Sequence, residues 1–257
     1  MAQGLKRATF NRSSLVSVLS DTLTEIPDPK YDFGERIGTW LDFSDALTLF
    51  SVLGTQAGRV TPAGSAATDL PAQLARVRRD LSDSIHNDGV FKHEPAPNPF
   101  LMPLPKGTSS SAADFSPYHR AYLAHQRDMS AAIAALRANA RKALSSQSAA
   151  GRQLADLDAA FEKFLINRER NLLATIPLML GTHFDLCYAK YHAALADGSA
   201  EDPGTWAKAG GGLDAFHQKV QSVLLAEMEL RLKPVAALIA ALCSASETNE
   251  TIETNPQ

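Results

Sequence analysis

The fold class of this chain is decided by residues 117–147, which read PYHRAYLAHQRDMSAAIAALRANARKALSSQ. Apolar positions recur there at spacings of four, three, four and four residues: Met129, Ile133, Leu136, Ala140 and Leu144. This spacing places them on one face of a helix, and such a seam is what helices packed along their length require. Ser116 is a natural cap, and Pro117 suits a first helical position. The pattern therefore predicts a helix from Pro117 to about Gln147.

Two more long helices are predicted downstream. The one after Gly151 carries Leu154, Leu157, Phe161, Phe164, Leu165, Leu172, Ile176 and Met179. Pro177 has no amide hydrogen for a helix interior, so we expect a kink at this position rather than an end. The last helix contains Pro234 and carries Leu213, Phe216, Val220, Leu224, Met228, Leu232, Val235, Ile239 and Leu242. The short break at 145–151 favours antiparallel packing of the first two helices.

The first 87 residues predict a smaller helical region that is cut by polar turns. One segment, starting at Ser44-Asp45, carries Leu47, Phe50 and Leu53. A helix from Asp69 to Asn87 carries Leu70, Leu74, Val77, Leu81 and Ile85 in helical register. Both segments alternate with stretches rich in Gly, Pro and Thr, which are typical of loops.

The remaining segments resist regular structure. Residues 88–116 contain five prolines and a run of three serines, which is typical of a linker or an extended arm. A proline-rich ligand for a partner is the alternative. Residues 244–257 are polar and acidic and predict a disordered tail.

Strand patterns, which alternate polar and apolar residues and are rich in Val, Ile, Thr and Tyr, are missing from the sequence, whereas alanine is abundant. The sequence therefore predicts an all-α protein. Its main body is a long-helix antiparallel bundle at 117–243, preceded by the N-terminal helical region at 1–87 and the Pro/Ser-rich linker at 88–116. The tail occupies 244–257.

Composition restricts the compartment and the partners. A net charge of −3 gives no whole-chain basicity of the kind that attracts nucleic acid or anionic lipid. Two cysteines, Cys187 and Cys243, are too few for a disulfide framework and are typical of a reducing compartment. The longest apolar run, Val235 to Cys243, has 9 residues, against about 20 for a membrane-spanning helix. We expect a cytoplasmic protein that reaches a membrane only through a partner.

Motifs for phosphate cradling, for a nucleophile elbow and for paired zinc cysteines are absent from the sequence. His183 and Cys187 lie four residues apart and could face one metal ion, but two ligands are too few, and Asp185 and His192 fall on other faces. A second polar cluster adjoins the proline-rich segment: His86, Asp88, His93 and Glu94. Residues of a helix end and turn explain that cluster more simply. The sequence thus predicts no catalytic residue, no metal and no cofactor.

Charge is unevenly distributed along the chain. Residues 117–152 contain six basic side chains and one acidic side chain. Five of the basic ones fall on one broad face of the predicted helix: Arg120, Arg127, Arg137, Arg141 and Lys142. Such a face suits a phosphate backbone or an acidic partner surface, and a solvated helix face is the alternative.

Three blocks of sequence resemble a known family. They are Arg36 to Leu47 (RIGTWLDFSDAL), Tyr118 to Leu123 together with Gln126 to Met129 (YHRAYL and QRDM), and Glu229 to Val235 (ELRLKPV). All three resemble a family of proteobacterial proteins that carry the domain of unknown function 3348. Its members are encoded beside a proton-channel protein of the flagellar-motor stator type and a protein with an OmpA-like peptidoglycan-binding domain. That arrangement is similar to a variant of the Zorya anti-phage defence system.

The resemblance implies a cytoplasmic accessory or effector of a membrane motor complex, and it brings no site residues. The leading hypothesis is a non-enzymatic defence component that binds a helical protein partner encoded in the same operon. The alternative is a DNA-binding module that acts through the basic helix face. An enzyme with a helical site around His183, Asp185 and His192 is the third hypothesis.

Overall fold

A computed structural model describes residues 14–20, 40, 42–54, 69–92, 114–196, 198, 206 and 210–253, with side chains described up to residue 245. These residues form seven helices: α1 (Ser14–Ser20), α2 (Phe43–Gly54), α3 (Leu70–Asn87), α4 (Ser116–Gln147), α5 (Ala149–Leu173), α6 (Ile176–Ala196) and α7 (Gly212–Glu253). Within the described ranges there is no strand. The prediction of an all-α protein is confirmed.

Helices α4 and α7 follow their predicted apolar stripes closely. The five predicted α4 positions are buried, and so are all nine predicted positions of α7. Helix α4 is capped by Asp114, whose carboxylate accepts hydrogen bonds from the amide and the hydroxyl of Ser116. The cap lies two residues before the predicted one, because Asp114 and not Ser116 accepts the bonds of the free helix end.

Pro177 does not kink a continuous helix as predicted. Helix α5 ends at Leu173, a turn follows, and α6 begins at Ile176 with Pro177 in its first turn. Proline is tolerated in a first turn because amides there have no partner within the helix. The Thr175 amide and hydroxyl both donate to the carbonyl oxygen of Leu172, at 3.2 Å and 2.6 Å, and so close the end of α5.

Helix α7 begins just after a glycine and extends beyond the predicted end of the bundle at residue 243. Gly210, at φ +78°, precedes its start, a backbone conformation that favours glycine. The helix continues through Pro234 and reaches Glu253. Residues 244–253 of the predicted tail are thus part of α7, because an established helix gains one hydrogen bond per added residue. Residues 254–257 lie outside the described part of the chain.

The chain divides into two compact units, which do not follow the boundaries predicted at 87 and 116. Unit 1 comprises residues 1–77, 131–170 and 230–257, and unit 2 comprises residues 78–130 and 171–229. Helices α3, α4, α5 and α7 each contribute residues to both units.

In unit 1, the last part of α4 packs antiparallel to the first part of α5. Arg137 and Arg141 of α4 each contact both Asp158 and Glu162 of α5. Because only Ser148 separates the two helices, side chains on both sides of this connection can meet in this way only if α5 folds back along α4, and this confirms the antiparallel pairing that the short connection predicted. The buried apolar side chains of these helices and of α7 form the core of unit 1: Ile133, Leu136, Ala140, Leu144, Ala155, Phe164, Leu232, Val235, Ile239 and Leu242.

The core of unit 2 is rich in aromatic rings. Tyr118 of α4, Phe184 of α6 and Phe216 of α7 pack with ring centroids 5.0–5.6 Å apart, a separation at which edge-to-face contacts are favourable. Burial raises the pKa of Tyr118 to about 12. Glu227 is fully buried, and its carboxylate accepts a hydrogen bond of 2.7 Å from the Tyr122 hydroxyl. The described loop 88–92 adds the buried Phe91 to this core.

Candidate functional site

Helix α2 in unit 1 is held at its first turn by a reciprocal cap. The Asp45 amide donates to the carboxylate of Asp42 at 2.7 Å, and the Asp42 amide lies 3.5 Å from the carboxylate of Asp45. The Asp42 carbonyl oxygen also accepts the first helical hydrogen bond, from Ala46, at 3.0 Å. This is the capping-box arrangement, with aspartate at both positions. It starts the helix slightly before the predicted Ser44-Asp45.

Polar groups of α5 fix both ends of this segment. Gln153 donates its side-chain amide to the carbonyl oxygen of Leu53 at 3.1 Å and so satisfies part of the C-terminal end of α2. At the other end, Arg168 donates to the carbonyl oxygen of Trp40. The Arg168 guanidinium carbon also lies 5.6 Å from the Trp40 ring and 5.2 Å from the Phe164 ring, within the range of cation–π attraction. These contacts hold α2 in place through polar groups.

The outer face of α2 is apolar and exposed. Its four large side chains keep more than half of their surface in contact with solvent: Phe43 (80%), Leu47 (53%), Phe50 (75%) and Leu53 (58%). No residue of α2 is buried. At 100° per residue these four side chains occupy roughly 120° of the helix circumference. We call this set the α2 face.

The other side of α2 is also largely apolar. Leu49 and Val52 are half-buried there, and so is Asp45. A helix that is apolar over most of its circumference is normally covered on more than one side. Leu47, Phe50 and Leu53 were visible in the sequence as the apolar residues of this segment, and Phe43 was not included among them. The signal for an outward face was the width of the apolar arc, which exceeds what one packed side of a helix requires.

Two members of the predicted basic face, Arg137 and Arg141, are paired within unit 1. Arg137 forms two bonds to Asp158, of 2.8 Å and 2.6 Å, and a longer one of 3.3 Å to Glu162. Arg141 contacts the same two carboxylates at 2.7 Å and 2.6 Å. The acidic surface that the sequence pattern suggested as a partner for these arginines is therefore supplied by α5 of the same chain.

The four charged side chains of this network stabilise one another and so hold α4 against α5. Burial by itself raises the pKa of the Asp158 carboxyl, but the bonds from Arg137 and Arg141 outweigh that effect, so its pKa lies below the ordinary value of 3.8. Burial likewise opposes the charge of Arg137, and the adjacent Asp158 more than restores it, which raises the pKa of the guanidinium. Both groups therefore stay charged across the physiological range because each compensates the other.

The other three predicted basic residues remain on the surface. Arg120 and Arg127 are exposed on the part of α4 that belongs to unit 2, and Lys142 is exposed on the part that belongs to unit 1. None of the three forms an ion pair with a residue that the structure describes. DNA binding by these three residues stays a prediction. Arg137 and Arg141 are already paired with carboxylates of α5.

The two histidines of the predicted helical enzyme site contact different side chains. His183 lies 3.5 Å from the sulfur of Cys187, and His192 packs edge-on against Tyr188 with centroids 4.4 Å apart. Asp185 is exposed. Burial lowers the pKa of His183 and raises that of the Cys187 thiol, so both neutral forms are favoured. Across the described ranges, no group of three or more His, Cys, Asp or Glu side chains could hold a metal ion.

The cluster predicted beside the proline-rich segment is a helix end with one long-range contact. His86 bonds within its own turn to the carbonyl oxygen of Ser82 at 2.7 Å. Asp88 accepts from the amide of Val90 at 2.8 Å and pairs at 2.8 Å with His125 of α4. The hydrogen bond from His125 is the main reason that the pKa of Asp88 lies below its ordinary value. His93 and Glu94 lie outside the described residues.

One stretch, within residues 149–196, is long and apolar enough by length and composition to cross a membrane, and 28% of its window is buried. Core helices of soluble proteins meet the same criteria. The turn at Ala174-Thr175 divides this stretch into α5 and α6.

Comparison with known proteins identifies a family for nearly the whole chain. The family model described as "Protein of unknown function (DUF3348)" matches residues 1–244. Neither a curated protein nor a solved structure matches the chain. The match covers both units and includes the α2 face, the four-residue network and the aromatic core. The chain is therefore a member of the DUF3348 family.

Proposed function

We propose that this protein is a non-enzymatic, cytoplasmic subunit of a multi-protein anti-phage defence assembly that works with a proton-driven membrane motor. In this proposal the subunit joins the assembly through the α2 face (Phe43, Leu47, Phe50 and Leu53). The occupant of that face is a helix with an apolar stripe of matching spacing. The link to anti-phage defence comes from the resemblance of the DUF3348 family to a component of the Zorya arrangement.

The single observation that carries the protein-binding role is the exposure of the α2 face. Four large apolar side chains at helical spacing face solvent on a helix whose two ends are fixed by hydrogen bonds. Contiguous exposed apolar surface of this kind marks binding sites more often than isolated apolar residues do. A short amphipathic helix that is already ordered also loses little conformational entropy on binding, which favours association.

Co-purification tests the proposal. The tagged chain is expressed with its neighbouring genes, and lysates are purified with and without nuclease. A variant carrying Leu47→Glu and Phe50→Glu places two charges in the α2 face, and a matched variant carrying Ser44→Glu and Thr48→Glu places two charges on the exposed polar side of the same helix.

We expect the wild-type and matched variants to retain, after nuclease, a stoichiometric protein encoded by a neighbouring gene, and the Leu47→Glu/Phe50→Glu variant to lose both that protein and phage protection. Retention of the partner and of protection by the α2-face variant would contradict the proposal. Recovery of nucleic acid alone, lost after nuclease, would favour DNA binding by Arg120, Arg127 and Lys142. Loss of protection on replacing His183, Asp185 and His192 with alanine would favour the enzyme hypothesis.

A further inference from the structure

We propose that the occupant of the α2 face is α2 of a second copy of this chain, packed antiparallel, so that the protein is a twofold-symmetric dimer. This inference rests on the proposed function in one respect: it makes the α2 face the contact between two copies, and the protein from the neighbouring gene then binds the dimer, so that the α2-face variant loses both. It follows from three features of α2, namely its lack of charge on the outer face, the order of its side chains and the position of its carboxylates.

The α2 face is chemically self-complementary. Phe43, Leu47, Phe50 and Leu53 are all apolar, and Ala46, also exposed, lies within the same arc. A surface with no charge or hydrogen-bonding side chain is matched by another surface of the same kind, because a polar partner group would lose its water without gaining a bond. A second copy supplies such a surface, as a symmetric dimer interface requires the same patch on both chains.

The order of side chains fits an antiparallel pair. When two α2 helices run in opposite directions about a central twofold axis, Phe43 of one copy lies level with Leu53 of the other, and Leu47 lies level with Phe50. Each aromatic ring then faces a leucine rather than a second ring, which alternates large and smaller side chains as close packing between helices requires. A parallel pair would instead place Phe43 against Phe43 and Phe50 against Phe50.

The carboxylates favour the same direction. Asp42, the capping residue just before α2, lies near the edge of the α2 face, whereas Asp45 lies on the other side of the helix. A parallel pair would bring the two Asp42 carboxylates to one end of the interface, where like charges repel. An antiparallel pair separates them by the length of the helix.

The size of the surface is sufficient for a modest dimer. Covering four side chains that are each more than half exposed on both copies would bury on the order of 1,000 Å² in total, the lower limit for a specific interface. We therefore expect a dissociation constant on the order of micromolar, because small interfaces give correspondingly modest affinities.

Sedimentation equilibrium and light scattering of the purified full-length chain test the inference. Wild-type protein should shift from 27.6 kDa to twice that mass as its concentration rises. The Leu47→Glu/Phe50→Glu variant should remain monomeric, with a dissociation constant raised roughly a hundredfold or more, and the Ser44→Glu/Thr48→Glu control should dimerise as wild type does. Far-UV circular dichroism should be unchanged in both variants, since none of these four side chains is buried.

Disulfide trapping tests the direction. In a background without Cys187 and Cys243, an equimolar mixture of Phe43→Cys and Leu53→Cys chains should form a mixed cross-link on oxidation. Phe43→Cys chains alone should not, because their sulfurs would lie about ten residues, or ~15 Å, apart along the helix axis. A cross-link formed by Phe43→Cys chains alone would overturn the antiparallel arrangement.

The outcomes separate this inference from the proposed function. Wild-type protein that stays monomeric, or a Leu47→Glu/Phe50→Glu variant that still dimerises, overturns the dimer. If the wild-type protein is monomeric but the same variant loses its co-purifying protein, the α2 face binds a helix of another protein and the proposed function stands. If the dimer forms through α2 but the variant retains its partner and protection, the dimer stands and the proposed function fails.

Discussion

Helices α7 and α2 carry similar apolar stripes, but the stripe of α7 is buried and the stripe of α2 is exposed to solvent. The nine stripe residues of α7 are each at most 4% exposed, whereas the four of α2 are 53–80% exposed. Both stripes follow helical spacing, and both helices are well formed. Periodicity therefore specifies which residues share a face of a helix, and it does not specify what covers that face.

The reason for the difference lies in what holds each helix. The first part of α7 belongs to the core of unit 2 and its last part to the core of unit 1, so its apolar residues are packed along its length. Helix α2 is attached to α5 by bonds to main-chain oxygens of Leu53 and Trp40. Those bonds fix its position without requiring its apolar side chains to leave water.

The largest expected difference between the two helices comes from one substitution made in each. Leu232→Ala in α7, at a side chain that is 0% exposed, should lower the free energy of unfolding by about 3–5 kcal/mol because it leaves a cavity. Leu47→Ala in α2 should lower it by less than about 0.5 kcal/mol in the single chain. Urea titrations followed by circular dichroism at several protein concentrations measure both values. Equal losses would show that the α2 face is packed within its own chain.

A second test compares a paired basic residue of α4 with an exposed one. Arg137→Ala should lower the free energy of unfolding by about 2 kcal/mol, because it removes a partly buried partner of Asp158 and leaves that carboxylate with fewer bonds. Lys142→Ala, on the exposed surface of the same helix, should leave the unfolding midpoint unchanged. A large effect of Lys142→Ala would contradict its exposed position, because it would show that Lys142 contacts another part of the folded chain.

Two glycines extend the comparison to the backbone. A Cβ atom added at Gly151, where α5 meets α4, would collide with the carbonyl oxygen of Leu144, whereas one added at Gly54, the last residue of α2, would meet nothing within 4 Å. Gly151→Ala should therefore destabilise the protein by roughly 1–3 kcal/mol. Gly54→Ala should stabilise it by roughly 0.5 kcal/mol through the unfolded chain. Thermal unfolding of the two variants beside wild type checks the opposite signs.

The smallest expected effect is a loss of folding stability at acidic pH. The pKa values of Asp158 and Asp88 are lowered in the folded protein relative to the ordinary value of 3.8. Their contribution to stability is thus fully present above that value and is lost as the pH falls through the lower folded values. Urea midpoints measured between neutral pH and pH ~3 should decline at the acid end, and Asp158→Asn should flatten that decline. An unchanged slope in the Asn variant would contradict the assigned pairing.

Several features of the fold were predictable from local pattern alone. The positions Met129, Ile133, Leu136, Ala140 and Leu144 are buried as their spacing predicts, because a helix of that length can cover its apolar face only by packing it against other helices. The break at 145–151 likewise predicted the antiparallel pairing of α4 with α5. The position of Pro177 was predictable only in part, since proline is compatible with both a kink and a new first turn.

The candidate site was harder to predict, for two physical reasons. The basic face of α4 was visible as a pattern, but its partners Asp158 and Glu162 lie about twenty residues away in sequence and meet it only after α5 folds back. Three residues of the α2 face were visible as an apolar stripe, but their exposure was not predictable, because burial depends on which neighbour reaches a helix. Neither outcome is encoded in the spacing of the residues themselves.

The sequence by itself determined the helical class, the faces of α4 and α7, and the identity of the residues that share each face. These properties follow from the spacing of apolar and capping residues along the chain, which are local interactions. Tertiary structure alone decided that Arg137 and Arg141 are neutralised within the chain, that long helices are shared between two units, and that the α2 face stays in solvent. Those properties depend on contacts between residues distant in sequence, whose free energy exists only once the chain has folded.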